Sequence, residues 1–257
     1  MNEKALKILV TGGCGSIGTS ICQNLLKSGH QPTVFSRNPK SPSSINGDIT
    51  KIDHIKHIID LFDGVIHAAA LKNGETKQII ETNIVGTLNI LECSKNLNFV
   101  KVISSSEAHS RLNAVYGTTK FLCEEICKSY KNAHTIRIPT VLGSEQGFVN
   151  NWINDAKSKN EIQLYIFNGK PKKKFFMTLD EAGKVCSCLD KYQNVHYRVI
   201  DAGVVAKIIS EKTGCKIVEI EKSGINYEHI CNNINNEKTN PISEEETKII
   251  LEGIYGL

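Results

Sequence analysis

The chain has 257 residues, of which 40% are hydrophobic and 23% are charged, and its formal net charge is +4. This composition is ordinary for a soluble globular protein, and the length suffices for one sizeable α/β domain with a small additional lobe. The longest basic run, at residues 172–174, is too short for a nucleic-acid surface. No apolar run approaches the roughly 20 residues needed to span a bilayer, and the N-terminus leads directly into a predicted strand without a signal peptide. We therefore expect a protein with no nucleic-acid and no membrane partner.

Nine cysteines are present, but their spacing indicates neither a disulfide framework nor a zinc site. None of them belongs to a Cys-x-x-Cys pair. Cys123 and Cys127 share one face of a predicted helix, where we interpret them as small buried apolar groups. Free thiols in this number are typical of a reducing compartment, so we expect a cytoplasmic protein without a bound metal.

The first half of the chain alternates short apolar runs with helical patterns, which is typical of a parallel sheet covered by helices on both faces. The predicted strands lie at residues 5–11, 33–36, 65–69, 99–104 and 135–138. Right-handed crossovers between these strands predict an α/β protein of the Rossmann type. Such a doubly wound parallel sheet binds its ligands at the carboxyl ends of the strands.

After about residue 143 this rhythm changes. The elements predicted there are helices at residues 150–159, 178–191 and 204–212, a strand at 216–221 and a polar loop at 232–238. We expect a nucleotide-binding domain over residues 1–142. A small substrate-binding lobe, partly interleaved with the first domain, is expected over residues 143–257.

A glycine-rich segment, TGGCGSIG at residues 11–18, lies where the first strand meets the first helix. Gly12 permits a tight turn, Gly15 lets a diphosphate approach the backbone, and Gly18 allows the helix to pack closely on the strand. The N-terminus of the helix supplies oriented N–H donors for an anion. The pattern predicts a dinucleotide-binding loop whose ligand contacts come from Gly12, Gly15, Ser16, Ile17 and Gly18.

The end of the second predicted strand bears on the choice of dinucleotide. An NAD site would place Asp or Glu there, where the carboxylate accepts a hydrogen bond from the ribose 2′-hydroxyl. This sequence has Ser36, Arg37 and Asn38 instead. Because a guanidinium can form forked hydrogen bonds with a 2′-phosphate, these residues favour NADP as the cofactor.

Tyr116 and Lys120 are four residues apart on a predicted helix, so their side chains project from one face. A nearby ammonium stabilises a phenolate and lowers the pKa of the tyrosine, which makes it a usable base for a sugar hydroxyl. The preceding strand ends in Ser104, Ser105 and Ser106, and a serine hydroxyl there can hydrogen-bond the same substrate oxygen. Together these residues predict a hydride-transfer site.

Several segments resemble the extended short-chain dehydrogenases, and within them the polysaccharide-biosynthesis group that contains the C5-inverting UDP-N-acetylglucosamine 4,6-dehydratases. The segments are ILVTGGCGSIG (8–18), FSRN (35–38), GDI (47–49), HAAALK (67–72), ETNIVGTLNILE (81–92), YGTTK (116–120) and FFMTLDEA (175–182). HAAALK and FFMTLDEA are the most specific, because they go beyond generic cofactor binding. The family resemblance also implies a UDP-sugar substrate and, since such enzymes generally associate, a homo-oligomer.

The resemblance implies roles for further residues by their position. Around the cofactor it places Asp48, Ile49, Ala68, Ala69, Ala70, Asn83 and Ser104. The first two would flank the adenine, and the alanines would line the ribose and nicotinamide side. On the substrate side it places Lys72 and Lys174, the latter where such enzymes have an arginine near the nucleotide diphosphate. A solvated basic turn is the alternative interpretation of residues 172–174.

The chain departs from this group after the strand that precedes the tyrosine. The inverting dehydratases have Thr-Asp-Lys there, with the aspartate as acid and the lysine as base for the elimination of water. Matching from the strand places Ser105, Ser106 and Glu107 at these positions, and counting back from the tyrosine places Ser106, Glu107 and Ala108 there. Neither register keeps both groups, so Glu107 is the only ionisable candidate within this segment.

The leading hypothesis is NADP-dependent 4,6-dehydration of a UDP-N-acetylhexosamine, with or without C5 epimerisation. Tyr116 would remove the proton of the C4 hydroxyl and Glu107 would abstract the C5 proton, with Lys72 or His109 as substitutes from elsewhere. A C4 epimerase or a 4-keto-sugar reductase needs only the serine, tyrosine and lysine and is a second hypothesis. A third is a non-catalytic NADP-binding regulator, against which the retained tyrosine and lysine argue.

Overall fold

The computed structural model describes residues 4–110, 114–189, 197–222 and 241–257. The strands within these ranges are β1 (Lys7–Thr11), β2 (Gln31–Ser36), β3 (Ile45–Asn46), β4 (Gly64–His67), β5 (Phe99–Ser105), β6 (Ala133–Ile138), β7 (Thr140–Leu142), β8 (Glu161–Phe167), β9 (Lys170–Pro171), β10 (Lys173–Thr178), β11 (Arg198–Asp201) and β12 (Lys216–Glu221). The helices are α1 (Ser16–Lys27), α2 (Ile52–Lys56), α3 (Thr76–Ile80), α4 (Gly86–Cys93), α5 (Glu107–Ser110), α6 (Ala114–Cys127), α7 (Phe148–Lys159), α8 (Leu179–Ser187), α9 (Ala202–Thr213) and α10 (Glu244–Tyr255). A 3₁₀ turn covers Ile59–Leu61 and a π-helical turn covers Glu81–Val85.

Strands β1 to β6 form one parallel sheet in the order β3-β2-β1-β4-β5-β6. This is the strand order of a dinucleotide-binding Rossmann fold, and it reverses between β1 and β4. The central strands are covered on both faces, so Leu9 and Val65 have no exposed surface. The predicted doubly wound α/β sheet is confirmed. The carboxyl ends of β1 and β4 lie side by side at the point where the strand order reverses.

The described residues divide into two compact units, of which the first contains this sheet. It takes in residues 4–110, 114–138 and 179–189. The chain returns to this unit at Leu179 because α8 packs against α1. Ser20 on α1 donates a hydrogen bond to the carbonyl of Leu179 (3.1 Å), and a Cβ on Gly183 would lie 2.0 Å from the Ser20 Oγ. The sequence predicted a boundary after residue 142 and a second lobe partly interleaved with the first domain, and in the structure the chain passes between the two units three times.

The second unit comprises residues 139–178, 197–222 and 241–257. It contains two three-stranded sheets, β11-β10-β7 and β12-β8-β9, and helices α7, α9 and α10. Its apolar core includes Val149, Ile162, Phe176, Val205 and Leu251. Lys173 and Lys174 belong to β10, so the alternative interpretation of residues 172–174 as a basic turn is wrong.

Most predicted elements of the first half differ from the observed ones by one to three residues at their ends, and β12 has the predicted bounds. The helix predicted at 178–191 begins at Leu179, because β10 continues as far as Thr178. The loop predicted at 232–238 lies outside the described residues. Across the described part of the chain, none of the helices has the length and apolar character of a membrane span.

Candidate active site

The glycine loop joins β1 to α1 and contacts the end of β4. Gly12 has a positive φ of 71°, and a Cβ placed on it would lie 2.6 Å from the backbone nitrogen of Ala69. A Cβ on Gly18 would lie 2.2 Å from the carbonyl oxygen of Gly12. Both contacts are with backbone atoms, which cannot move aside as a flexible side chain does. The first and last of the three predicted glycine positions are therefore required by the fold of the loop itself.

The N-terminus of α1 has the properties of an anion site. Its N-cap residue, Gly15, has no side chain to cap the helix, and the first turn contains no acidic residue. The first N–H groups of a helix have no partner within the helix, so those of Ile17 and Gly18 are directed toward the loop. A Cβ on Gly15 would contact only the carbonyl oxygen of Gly12, at 3.4 Å, so the protein leaves room beside this residue. The segment fits the diphosphate of a dinucleotide.

Substitutions of Gly15 and Gly18 distinguish the glycine needed for ligand binding alone from the glycine that the fold of the loop also needs. We expect Gly18→Ala to lower the free energy of unfolding by about 1–3 kcal/mol, because the new methyl group overpacks the loop, and to prevent dinucleotide binding. We expect Gly15→Ala to keep the stability of the wild type and to weaken dinucleotide binding. Denaturant titrations and NADP titrations of both variants measure this. Unchanged binding in Gly15→Ala would contradict the placement of the diphosphate beside this residue.

The residues predicted to surround the adenosine end lie at the carboxyl ends of β2 and β3. Arg37 and Asn38 are exposed, and the N–H of Asn38 donates to the Ser36 Oγ (3.3 Å). Asp48 accepts two hydrogen bonds from Thr50, each 2.9 Å long, which fix the loop after β3. Ile49 is buried in the core, where it packs against Gly86.

The three serines at the end of β5 have different surroundings. Ser104 is buried, and its hydroxyl donates to Glu124 (2.5 Å), which also binds Arg137. The hydroxyl of Ser105 hydrogen-bonds Tyr116. The backbone N–H of Ser106 donates to a carbonyl of β6, that of Ile138 (2.9 Å). Of the three, Ser105 is thus the serine that the structure brings to the tyrosine.

Tyr116 and Lys120 lie on α6, but the ammonium is not bound to the phenol. Lys120 is buried and donates to the carbonyl of Ile103 (2.6 Å), and its own pKa is lowered by burial. Burial, followed by the negative charge of Glu107, raises the pKa of Tyr116, and these effects outweigh the hydrogen bond from Ser105. The predicted lowering of the tyrosine pKa is therefore wrong for this arrangement, since burial dominates.

Lys72 and Glu107 form an ion pair beside this tyrosine. The Lys72 Nζ lies 2.9 Å from the Glu107 Oε1 and 5.7 Å from the centre of the Tyr116 ring. Glu107 begins α5, where its backbone N–H donates to the Ser105 Oγ (3.2 Å). The two charged side chains come from neighbouring strands, one after β4 and one after β5. The sequence named both residues but did not predict that they pair.

Asn83 fixes the segment that carries Lys72. Its buried amide accepts from the N–H of Leu71 (2.7 Å) and donates to the Leu71 carbonyl (2.9 Å) and to Thr119 on α6 (3.0 Å). Asn83 lies in the π-helical turn, a local geometry that often marks functional positions. Its side chain therefore supports the backbone beside Lys72, and the cofactor role predicted for Asn83 stays a prediction.

A buried histidine links the glycine loop to the same region. His67 ends β4, with Nδ1 2.6 Å from the Thr11 Oγ1 and Nε2 3.0 Å from the Thr87 Oγ1. Because Thr87 donates its own proton to the carbonyl of Asn83 (2.5 Å), it accepts from the histidine Nε2–H. Burial, helped by the charge of Lys120, lowers the pKa of His67 to about 3. The neutral ring thus ties β1 to α4, a role that sequence reasoning missed.

Five further residues were predicted for the site. Ala68 and Ala69 follow β4 and are half-buried, and Ala70 is exposed. Lys174 belongs to the second unit, where its Nζ lies 5.0 Å from the centre of the Phe148 ring. The side chain of His109 lies outside the described part of the structure.

Comparison with known proteins gives a family match. The model of the NAD dependent epimerase/dehydratase family matches residues 8–203. The UDP-glucose 4-epimerase of Rickettsia rickettsii is 28% identical over 189 residues, a match that covers 61% of this chain and 55% of that protein. The chain spans 42% to 61% of the length of the first curated relatives it matches.

Two solved structures share the fold at low sequence identity. Pen from Bacillus thuringiensis superposes with a TM-score of 0.79 at 22% identity, and all of both chains is covered. The Bordetella bronchiseptica enzyme WbmG, solved in complex with NAD and UDP, gives a TM-score of 0.73 at 14% identity and covers 98% of this chain and 96% of that chain.

Proposed function

Because the chain belongs to the NAD dependent epimerase/dehydratase family, we propose that it is a nucleotide-sugar 4,6-dehydratase that acts on a UDP-N-acetylhexosamine. The observation that carries this proposal is the ion pair of Lys72 and Glu107 beside Tyr116. Elimination of water requires proton transfer at C5 and at C6 of the sugar, in addition to the redox step at C4. A carboxylate and an ammonium next to the tyrosine supply that chemistry.

The residues around Tyr116 have distinct roles in this proposal. The deprotonated hydroxyl of Tyr116 takes the proton of the C4 hydroxyl as C4 is oxidised, and Ser105 hydrogen-bonds the tyrosine and the same sugar oxygen. Oxidation at C4 makes the C5–H acidic, and Glu107 takes this proton. A dinucleotide held by the glycine loop and by the N–H groups of α1 would supply reversible hydride transfer. The overall reaction would consume no coenzyme, because the product has the same oxidation level as the substrate.

We propose NADP rather than NAD as this dinucleotide. Support comes from Arg37, which is exposed at the end of β2 in the position where an NAD site has a carboxylate. Among the described residues Arg37 forms no ion pair, so its guanidinium is available to a phosphate.

We expect Arg37→Asp to weaken NADP binding by about ten- to a hundredfold, because it removes a charge-assisted contact and adds a like charge. Dissociation constants for NADP and NAD, measured by titration, test this. Lys40→Asp is the matched control, since it makes the same change of charge at an exposed site in the same loop. Tighter binding of NAD than of NADP by the wild type would contradict the assignment.

Incubation of the protein with UDP-N-acetylglucosamine and catalytic NADP tests the proposed reaction. A 4-keto-6-deoxy product, identified by NMR spectroscopy, without net formation of NADPH is the expected result. Stoichiometric consumption of added NADPH with a 4-keto substrate would indicate a reductase instead. Absence of any turnover with a panel of UDP-sugars would leave the non-catalytic regulator as the surviving hypothesis.

C4 epimerisation of a UDP-sugar is the second candidate. It is favoured by a specific observation, namely that curated relatives at about 28% identity carry the name UDP-glucose 4-epimerase. Ser105 and Tyr116 suffice for it, since an epimerase only removes and returns hydrogen at C4. The same NMR experiment distinguishes the two, because an epimerase keeps the C6 hydroxyl and inverts C4.

A further inference from the structure

We propose that Lys72 is the general acid of the elimination, and that it forms with Glu107 an acid–base pair assembled from two separate strands. This inference rests on the proposed dehydratase function. The ammonium protonates the departing C6 hydroxyl while the carboxylate removes the C5 proton. Lys72 is then a catalytic residue rather than only a substrate contact.

The position of the pair supports this role. The charged atoms of Lys72 and Glu107 are 2.9 Å apart, and the ammonium lies 5.7 Å from the centre of the Tyr116 ring. Lys72 follows β4 and Glu107 follows β5, and the carboxyl ends of these parallel strands meet at one edge of the sheet. The acid, the base and the phenol are therefore within reach of neighbouring atoms of one sugar ring.

Stability alone is a poor explanation for this ion pair. The side chains of Lys72 and Glu107 are 42% and 25% exposed, and pairs exposed to this degree contribute only about 0–1 kcal/mol. The structure nevertheless fixes the backbone beside Lys72, because the buried amide of Asn83 accepts a hydrogen bond from the N–H of Leu71 and donates one to the Leu71 carbonyl. A buried amide that holds the backbone next to an exposed lysine is expected where the position of that lysine side chain matters.

Charge also argues against a diphosphate contact. A diphosphate bound at Lys72 would bring negative charge next to the carboxylate of Glu107, and like charges at such a distance repel. A neutral sugar hydroxyl at the same place is compatible with both side chains, because the ammonium donates and the carboxylate accepts. The pair therefore suits the sugar ring better than the phosphates.

The step balances with these two groups alone. After oxidation at C4, Glu107 takes the C5 proton reversibly, and the electrons of the C5–H bond pass to the C4 carbonyl to form an enolate. The enolate electrons then form the C5–C6 double bond. The C6–O bond breaks as Lys72 gives a proton to the hydroxyl, and water leaves. One proton is taken up by the carboxylate and one is released by the ammonium, so the net charge of the site does not change.

Two substitutions of Lys72 test the assignment, with UDP-N-acetylglucosamine as the substrate. Lys72→Arg keeps the positive charge but is a very weak proton donor, because a guanidinium stays protonated at all working pH values. We expect it to lower dehydration by about a hundredfold or more, with little change in KM. Lys72→Met removes both charge and proton, and we expect at least the same loss. Lys77→Arg, on an exposed lysine of α3, is the matched control.

Solvent deuterium exchange at C5 distinguishes loss of the acid, Lys72, from loss of the base, Glu107. In Lys72→Arg the base remains, so exchange at C5 should continue while loss of the C6 oxygen stops. Thermal unfolding of each variant verifies that the fold is kept. Wild-type dehydration by Lys72→Arg, or a parallel loss of exchange and dehydration, would overturn the role of Lys72 and leave the dehydratase function intact. A wild-type protein that yields only a C4 epimer would overturn both.

Discussion

Replacement of Tyr116 by phenylalanine is expected to leave the protein folded and to lower turnover by about two to four orders of magnitude, the range that general acid–base groups contribute. The substitution removes one hydroxyl from a half-buried ring and the hydrogen bond from Ser105, but it leaves the ring and its packing. Without that hydroxyl, the described part of the site has no group beside Ser105 that can take the proton of the C4 hydroxyl. Steady-state kinetics with UDP-N-acetylglucosamine measure the loss.

Tyr130→Phe is the control for this prediction. Tyr130 lies just beyond α6, where its hydroxyl hydrogen-bonds Glu92 on the surface, so the same chemical change is made away from the site. We expect that variant to keep wild-type activity. Full activity in Tyr116→Phe would mean that Tyr116 is not the base and that the hydride-transfer site lies elsewhere in the protein.

The parts of the molecule that local patterns determine could be predicted from the sequence. The glycine loop is one such part, because Gly12 needs a positive φ and Gly18 has no room for a side chain, and both demands appear as glycines at fixed spacing. The parallel sheet is another, since buried strands are continuous apolar runs. In the second unit β12 was predicted, but β8, β10 and β11 were not, and β7 and β9 were missed because two or three residues carry no periodicity.

Pairings between distant residues could not be predicted in the same way. Lys72 and Glu107 are 35 residues apart, and only the order of β4 and β5 in the sheet brings them together. The three serines show the same limit, because the alternation of a strand directs Ser104 toward Glu124 and leaves Ser105 for the tyrosine. The pKa of Tyr116 was predicted with the wrong sign, since the sequence showed the nearby lysine but not the burial.

Replacement of Glu107 by glutamine is expected to stop elimination while C4 oxidation continues. The amide cannot take the C5 proton, whereas Tyr116 and Ser105 keep their positions. The absorbance of reduced nicotinamide should therefore accumulate on the enzyme without formation of a 4-keto-6-deoxy product, and solvent deuterium exchange at C5 should fall. This combination differs from that expected for Lys72→Arg, in which exchange continues.

The same substitution should move the pH dependence of C4 oxidation in a definite direction. Burial is the larger cause of the raised pKa of Tyr116, and the negative charge of Glu107 is the second. Removing that charge makes the phenolate easier to form, so the pKa falls and the rising limb of the oxidation rate shifts to lower pH. Glu125→Gln is the control, because it removes the carboxylate from an exposed ion pair with Lys128 at the end of α6, and it should change neither the product nor the pH profile. Normal product formation by Glu107→Gln would exclude this carboxylate from the mechanism, and with it the elimination chemistry that distinguishes a dehydratase from an epimerase.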